Sequence, residues 1–273
     1  MTIYLLDRNA VIEIEKIVKG NGSPIYEKLK RLDKRKNTVS CLLSALETHK
    51  KSSRDAAAIA DSIERESGVL SAFFRYARTD SSLLLSEKDG YAIGFAEEFA
   101  KNQQNDLEFI ADAQRLLAKE TGKDHVMSEF ERVADFIRQR GRQLGDPLSM
   151  LLIACPLGSQ GARKVLKPTE NPDPDLSFNV LADVEKIKLK NYLQHIAIYK
   201  GVRSALKIFS EDAGLMSFSS AILVRSALSM DSHIANEVSA MYWSDAEHFI
   251  SKMPFLEGRN KQKEKVIAAI IGG

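Results

Sequence analysis

Four acidic residues of this chain stand where carboxylates could act chemically: Asp7, Glu47, Asp231 and Asp245. Clustered carboxylates repel one another and desolvate poorly unless a cation neutralises them. Oxygen ligands of this kind suit Mg²⁺ or Mn²⁺, which keep several waters and take phosphate oxygens as further ligands. One or two such ions would activate a water and stabilise the leaving oxygen of a phosphodiester. The residue types therefore favour metal-dependent hydrolysis of phosphodiester bonds, provided that the fold brings the acids together.

The first acid follows a predicted strand. Residues 3–6 form a short apolar run suited to a buried parallel strand, and a helical stretch runs from Ala10 to about Lys19. Asp7 lies between them, and ligands of open α/β sheets bind outside the carboxyl ends of the strands. An Asp in this place could instead cap the helix. The presence of two further acids near the other end of the chain favours the metal site.

The last two acids bracket a predicted helix and strand. Asp231 occupies an N-cap position before the helix-compatible run 233–240, and Asp245 comes shortly after the strand-like residues 241–243. A short helix that feeds a short strand is the final unit of many parallel sheets. We therefore expect Asp245 to lie, like Asp7, at the carboxyl end of a strand.

Glu47 is predicted to lie on a helix. Residues 38–43 have the pattern of a strand or of the entry to a helix, and the helix continues over 44–51. Glu47 is the only carboxylate between Lys34 and Lys51. A single Glu on a helix is usually a surface residue, so its assignment depends on the other three acids.

Helical patterns dominate the rest of the chain, and their apolar positions indicate core packing. A basic helix over 24–36 comes first, and its charges suit a solvated face or a phosphate backbone. Three prolines make 167–175 a loop or linker. The other predicted helices are 52–66, 69–78, 90–121, 124–140, a buried one beginning at Asp146-Pro147, and 176–199.

The totals are those of an ordinary soluble protein. Of 273 residues, 44% are hydrophobic and 28% charged, and the net charge of +2 is too small to favour nucleic-acid binding by itself. Cys41 and Cys155 lie in apolar runs without metal spacing, which predicts buried free thiols in a reducing cytoplasm. Neither a signal peptide nor a membrane span is predicted. We therefore expect a cytoplasmic protein.

Two stretches near the amino terminus carry a family resemblance. Residues 3–12, IYLLDRNAVI, resemble the first motif of PIN-domain nucleases, which is an apolar strand, Asp, one residue, Asn and an apolar helix start. Residues 38–47, TVSCLLSALE, resemble the second motif, in which a Ser at a strand end leads to a helical Glu. The resemblance makes Asp7 and Glu47 metal ligands and Asn9 a supporting residue.

Residues 231–249 resemble the third and fourth motifs of the same family. An Asp opens a helix, and a strand is followed by Ser, Asp and a trailing His-Phe pair. The resemblance makes Asp231 and Asp245 the remaining metal ligands and Ser244 a supporting residue. Asp245 follows Asp231 by only 14 positions, which is fewer than the family usually has.

Two further acids compete for a place in the site. Asp183 is a rival or auxiliary ligand, because its helix precedes the last predicted unit and Asn179 lies one turn away on the same face. Asp146 is a weaker candidate, since an N-cap role before Pro147 explains it.

The resemblance implies a complete architecture and function. The fold would be α/β and helix-rich, with a PIN-like parallel sheet and flanking helices in 1–51 and 176–257, an all-α insertion over 52–175 and a tail over 258–273. The function would be that of an Mg²⁺- or Mn²⁺-dependent nuclease that prefers RNA to DNA, in the toxin or phage-defence setting usual for small PIN proteins. The expected nucleic-acid contacts are Arg8, Lys28, Lys30, Arg31, Lys34 and His233.

Two other functions are compatible with the sequence. The large helical insertion and the near-neutral charge favour a non-catalytic interaction or scaffold protein built on a degenerate PIN-like core. The third alternative is a metal-dependent hydrolase of a small phosphorylated substrate, which a closed, narrow pocket would favour. A protein inhibitor and a homo-oligomer are left open as partners, and no membrane partner is expected.

Overall fold

A computed structural model describes residues 1–47, 56–120, 122–199, 201, 203–222 and 245–272. The chain divides into two compact units, and each is described by itself. The first unit comprises 1–104 and 203–211, and the second comprises 105–202 and 212–273. The predicted PIN-like core and helical insertion rest on a family resemblance, which this geometric division does not test, so those boundaries stay a prediction.

The described part of the first unit contains a four-stranded, all-parallel sheet in the order β3-β2-β1-β4. In the central pairings, Leu5 of β1 lies opposite Ser40 of β2 and Ile208 of β4. The predicted fold class, a helix-rich α/β protein with a parallel sheet, is confirmed. The strands are β1 (Thr2–Leu6), β2 (Asn37–Ser40), β3 (Arg78–Thr79) and β4 (Ala205–Phe209).

Helices flank this sheet within the first unit. The core lies where α1 and α3 pack against α4, and Ile14, Ile59, Ile63 and Leu70 are fully buried there. The helices are α1 (Arg8–Val18), α2 (Tyr26–Lys30), α3 (Leu42–Glu47), α4 (Ala56–Phe73), α5 (Ser81–Ser86) and α6 (Lys88–Leu116), the last of which crosses the unit boundary.

Three predicted elements of this unit differ from the observed ones. The predicted strand or helix entry over 38–43 divides, because β2 ends at Ser40, whose hydroxyl accepts a hydrogen bond from the amide of Leu42 (3.2 Å) at the start of α3. The basic helix expected over 24–36 is shorter than predicted, because only Tyr26–Lys30 (α2) is helical there. Helix α4 continues through Gly68 to Phe73, because packing on both sides of that glycine outweighs its weak helix propensity.

The described part of the second unit is helical. Helix α8 is buried along its whole length, as the apolar sequence predicts. The loop expected over 167–175 is observed over 167–173, because α10 already begins at Pro174. Its helices after α6 are α7 (Val126–Gln139), α8 (Pro147–Ala154), α9 (Gln160–Leu166), α10 (Pro174–Tyr199), α11 (Ala213–Ala221), α12 (Ala246–Ser251) and α13 (Asn260–Gly272), with 3₁₀ turns at Lys123–His125 and Pro254–Leu256.

A close helix contact and a buried amide organise the second unit. A Cβ at Gly161 of α9 would lie 2.7 Å from the hydroxyl oxygen of Ser217, so only glycine permits this approach of α9 to α11. Buried Gln114 donates to the carbonyl oxygen of Leu166 (2.9 Å) and accepts from the hydroxyl of Ser177 (2.9 Å). Gln114 thus ties α6 to the end of α9 and the start of α10.

The two cysteines are buried, as the sequence predicts. Cys41 and Cys155 are buried free thiols, and burial raises the pKa of Cys41 to about 12. None of the helices in the described part of the chain combines the length and the apolar character needed to span a bilayer.

Strand β3 is held in place by one carboxylate. The Asp33 side chain accepts hydrogen bonds from the amides of Arg75 (3.2 Å), Tyr76 (2.7 Å) and Ala77 (2.7 Å), which immediately precede the strand. We expect Asp33→Ala to lower the free energy of unfolding by about 2 kcal/mol, because three amides lose a charged acceptor in a partly exposed turn. Urea denaturation measures this loss, and amide exchange at Tyr76 and Ala77 should accelerate with it.

Asp61→Ala is the matched control, because Asp61 is an exposed aspartate of α4. We expect its free energy of unfolding to stay within about 0.5 kcal/mol of the wild type. Equal stability of the Asp33 and Asp61 variants would show that the three hydrogen bonds do not hold β3.

Candidate functional site

Polar side chains lie at the carboxyl ends of all four strands of the sheet. Asp7 follows β1, Ser210 follows β4, Asp80 follows β3, and Ser40 is the last residue of β2. Because the strands are parallel, these ends meet at one edge of the sheet. This edge is where ligands bind in open α/β sheets, so we call it the carboxyl edge and describe the candidate site from its residues.

Asp7 is the central residue of the carboxyl edge and is only 3% exposed. Its Oδ1 accepts a hydrogen bond from the amide of Ala10 (2.8 Å), and its Oδ2 accepts one from the hydroxyl of Ser210. The amide hydrogen bond caps α1, so the capping role that the sequence left as an alternative is observed. A carboxylate has about four acceptor positions on its two oxygens, so this cap does not exhaust the side chain.

Glu47 is brought beside Asp7 by the end of α3. Its Oε2 accepts a hydrogen bond from the backbone N–H of Arg8 (2.7 Å), the residue directly after Asp7. That N–H belongs to the first turn of α1, where amides lack partners within the helix and attract negative charge. The structure therefore brings two of the four predicted acids, Asp7 and Glu47, to the amino-terminal end of the same helix.

A third acid near this point, Glu66 of α4, was not predicted. Its side chain is 4% exposed, and its Oε1 lies 3.5 Å from Nη1 of Arg8 and 3.4 Å from Nη2 of Arg65. Burial raises the pKa of Glu66, while the Ser44 hydroxyl and the charges of Arg8 and Arg65 oppose the rise. Arg8 thus contacts Glu47 through its backbone and Glu66 through its guanidinium.

Asp80 is a second acid that sequence reasoning missed. It follows the two-residue strand β3, and its Oδ1 is buried with no hydrogen-bond partner among the described residues. Burial raises the pKa of Asp80 to about 6, partly opposed by a hydrogen bond with the Ser40 hydroxyl. The carboxyl edge therefore has one acid that changes charge close to neutral pH.

Of the site residues predicted near the carboxyl terminus, the structure describes Asp245. Asp245 does not follow a described strand: it belongs to the second unit and caps α12, where its Oδ1 accepts a hydrogen bond from the amide of His248 (2.7 Å). Asp231, Ser244 and His233 lie outside the described residues.

Two further candidates also have structural partners in the second unit. Asp183 of α10 forms an ion pair with Nζ of Lys186 (2.8 Å) and is 9% exposed. Asp146 caps α8 by accepting a hydrogen bond from the amide of Leu148 (2.8 Å), as its position before Pro147 predicts. Asn9, the support predicted for the first unit, is exposed in the first turn of α1.

The predicted nucleic-acid contacts of α2 form an exposed basic surface. Lys28 pairs with Glu211 (2.8 Å), the residue after Ser210, and Nζ of Lys30 lies 5.7 Å from the centre of the Tyr26 ring. Arg31 and Lys34 follow on the same exposed stretch. The pairing of Lys28 with Glu211 reduces the positive charge that this surface offers to phosphates.

The acids at the carboxyl edge fit a hard cation by type, although they do not form a protein cage. Within the described residues, no three His, Cys, Asp or Glu side chains converge closely enough to hold a metal ion. Mg²⁺, however, is commonly held by one or two carboxylates together with waters and substrate phosphates. Asp7 and Glu47 supply two carboxylates of this type at the start of α1.

The chain matches no protein-family model, and searches of curated proteins and of solved structures find no similar protein.

The raised pKa of Asp80 predicts a pH dependence of stability. Since the pKa is about 6 in the folded protein and 3.8 is its ordinary value, the folded state binds more protons between these values. Stability should therefore fall as pH rises from about 4 to 6, by at most about 3 kcal/mol for a shift of this size. We expect Asp80→Asn to be more stable than the wild type at pH 7.5 and equally stable at pH 3.5.

Thermal unfolding of both proteins across this pH range tests the assignment, with Asp61→Asn as the exposed control that should follow the wild type. A stability difference between Asp80→Asn and the wild type that does not change with pH would contradict it.

Proposed function

We propose that the chain is an Mg²⁺- or Mn²⁺-dependent nuclease that hydrolyses phosphodiester bonds at the carboxyl edge of its sheet. The observation that carries the proposal is the approach of Asp7 and Glu47 at the start of α1, where Glu47 accepts from the amide of the residue after Asp7. RNA as the preferred substrate, and a role as a toxin or phage-defence effector, follow from the resemblance of 3–12 and 38–47 to PIN-domain motifs.

In this proposal, four residues act on the cation or the substrate: Asp7, Glu47, Ser210 and Arg8. Asp7 and Glu47 hold the cation through oxygens that also accept hydrogen bonds from α1 and Ser210. Such a cation supplies an activated water and stabilises the charge on the leaving oxygen. The Ser210 hydroxyl fixes the orientation of the Asp7 carboxylate, and Arg8, with 31% of its side chain exposed, binds a phosphate of the substrate.

Asp231 and Asp245 remain the proposed further ligands on the evidence of the sequence alone. Asp212 is the natural comparison for Asp245 within the second unit. Asp212 and Asp245 both cap helices of the second unit, by accepting from the amides of Leu215 (2.9 Å) and His248 (2.7 Å). Their matched structural roles make them a clean pair for mutagenesis.

One observation favours the alternative of a non-catalytic scaffold. Across the described ranges, the acids do not assemble into a group of three or more that could hold a metal ion. A scaffold would retain Asp7 for capping α1 and for binding Ser210, without any need for a cation. Metal binding and cleavage decide between the two functions.

We expect Asp7→Asn and Glu47→Gln each to reduce Mn²⁺-dependent cleavage of labelled RNA at least about 100-fold, because each removes a charged ligand of the cation. Asn is as good an N-cap as Asp, so Asp7→Asn should keep its thermal stability. Cleavage is followed on gels with labelled single-stranded RNA and DNA, in Mn²⁺ and in EDTA.

Glu64→Gln is the control, since Glu64 is an exposed glutamate of α4 that pairs with Lys88. It should retain full activity. If both Asp7→Asn and Glu47→Gln cleave as fast as the wild type, the nuclease assignment is wrong. If the wild-type protein neither cleaves nor binds Mn²⁺, the scaffold function is favoured.

The pair Asp245→Asn and Asp212→Asn tests whether Asp245 takes part, with Asp212 as the matched helix-capping control. Both substitutions keep an N-cap, so both variants should fold and melt like the wild type. The sequence prediction expects loss of Mn²⁺-dependent cleavage in Asp245→Asn only. Wild-type cleavage by Asp245→Asn would show that the role predicted for Asp245 is wrong.

A further inference from the structure

Glu66 is a buried carboxylate that none of the sequence motifs explains. It is 3% exposed, and its Oε1 is shared by the guanidinium groups of Arg8 and Arg65. A buried charge is costly, and a well-packed apolar side chain would serve the core of α4 better. The position of Glu66 therefore indicates a task that an apolar residue could not perform.

The residue that Glu66 holds is Arg8, which lies at the centre of the candidate site. Arg8 directly follows Asp7, and its backbone N–H donates to Glu47 (2.7 Å). Nη1 of its side chain lies 3.5 Å from Oε1 of Glu66, and the side chain is 31% exposed. A guanidinium has five N–H donors in a rigid fork that matches the geometry of a phosphate.

We propose that Glu66 is a positioning residue that holds the guanidinium of Arg8 at the carboxyl edge, where Arg8 binds a phosphate of the nucleic-acid substrate beside Asp7 and Glu47. This inference rests on the proposed function. Glu47 fixes the backbone of Arg8 and Glu66 fixes the far end of its side chain, so less rotamer freedom is lost when the phosphate binds.

Arg65 provides an internal comparison. It contacts the same Oε1 atom of Glu66 at 3.4 Å, but it lies next to Glu66 on α4 and its side chain is 51% exposed. Arg65 contacts Glu66 from the neighbouring position of α4, whereas Arg8 directly follows Asp7 and donates its amide to Glu47. If Glu66 acts through Arg8, loss of Arg65 should leave binding of the substrate unchanged.

The experiment measures binding of a fluorescent single-stranded RNA to the full chain in EDTA, where no divalent cation is present and cleavage is suppressed. The variants are Arg8→Ala, Glu66→Leu, Arg65→Ala and the double variant of Arg8 and Glu66. We expect Arg8→Ala to weaken binding about tenfold, Glu66→Leu about fivefold, and Arg65→Ala less than about twofold. In the Arg8→Ala background, Glu66→Leu should cause no further loss.

This coupling separates positioning from general destabilisation, because a merely structural role of Glu66 would weaken binding equally in both backgrounds. Equal loss in the two backgrounds overturns the proposal, as does wild-type affinity in Arg8→Ala or an absence of RNA binding by the wild type. Thermal unfolding checks each variant. If Glu66→Leu fails to fold, the same cycle is made with Glu66→Gln, which keeps the side-chain volume and one acceptor oxygen, and the same additive result overturns the proposal.

The experiments distinguish failure of the coupling between Glu66 and Arg8 from failure of the proposed nuclease function. If the wild type does not cleave in Mn²⁺, the nuclease assignment fails, while the coupling of Glu66 to Arg8 is still measured in EDTA. If cleavage depends on Asp7 but the coupling is absent, the nuclease assignment stands and the role of Glu66 is wrong.

Discussion

The carboxyl edge of the sheet depends on the side chain of Asp7. This carboxylate ends β1, caps α1 through the amide of Ala10, and accepts the hydroxyl of Ser210 just beyond β4. The amide of Asp7 also donates to the carbonyl oxygen of Phe209 at 3.1 Å, which extends the pairing of β1 with β4. An apolar residue in this place would remove the acceptor of the Ala10 amide and the carboxylate that accepts from the Ser210 hydroxyl. The polar character of the edge is therefore structural first, and any chemistry must be compatible with that role.

The balance of charge near Arg8 gives the nuclease proposal its physical basis. The carboxylates of Asp7, Glu47 and Glu66 come to the start of α1 and the adjoining face of α4, and the cations contacting Glu66 are Arg8 and Arg65. Helix α1 contributes partial positive charge through its first amides, but two of these already bind Asp7 and Glu47. Additional positive charge at this end of the helix would stabilise the three carboxylates, and a divalent cation can supply it together with an affinity for phosphate.

The strands of the sheet differ in how clearly the local sequence predicts them. Strand β1 was predicted because it is wholly apolar and stops at Asp7, which is typical of a buried central strand. Strand β4 was not predicted, although its exposed and buried residues alternate as in a half-buried strand, because the last strand was expected at 241–243. Strand β3 has only two residues, and it is held by Asp33, a contact between distant parts of the chain that no local pattern shows.

The site residues that the sequence did not predict are Ser210, Asp80 and Glu66, and their positions depend on contacts between distant parts of the chain. Ser210 and Asp80 take their positions from those two unpredicted strands, so neither could be placed at the carboxyl edge. Glu66 lies on a helix whose existence was predicted, but the pattern treats any acid on such a helix as exposed. Its burial follows from the packing of α1 and α3 against α4, which is tertiary.

Helix capping and metal binding are compatible roles for a carboxylate such as that of Asp7. Its Oδ1 accepts from the amide of Ala10 and its Oδ2 from the hydroxyl of Ser210, and a carboxylate has about four acceptor positions. Donors from Ala10 and Ser210 also fix the plane of the group, so a cation would meet a carboxylate that is already oriented. The same holds for Glu47, whose Oε2 is fixed by the amide of Arg8. Ligands oriented by the fold lose little freedom on binding, which is the usual advantage of a metal site supported by backbone hydrogen bonds.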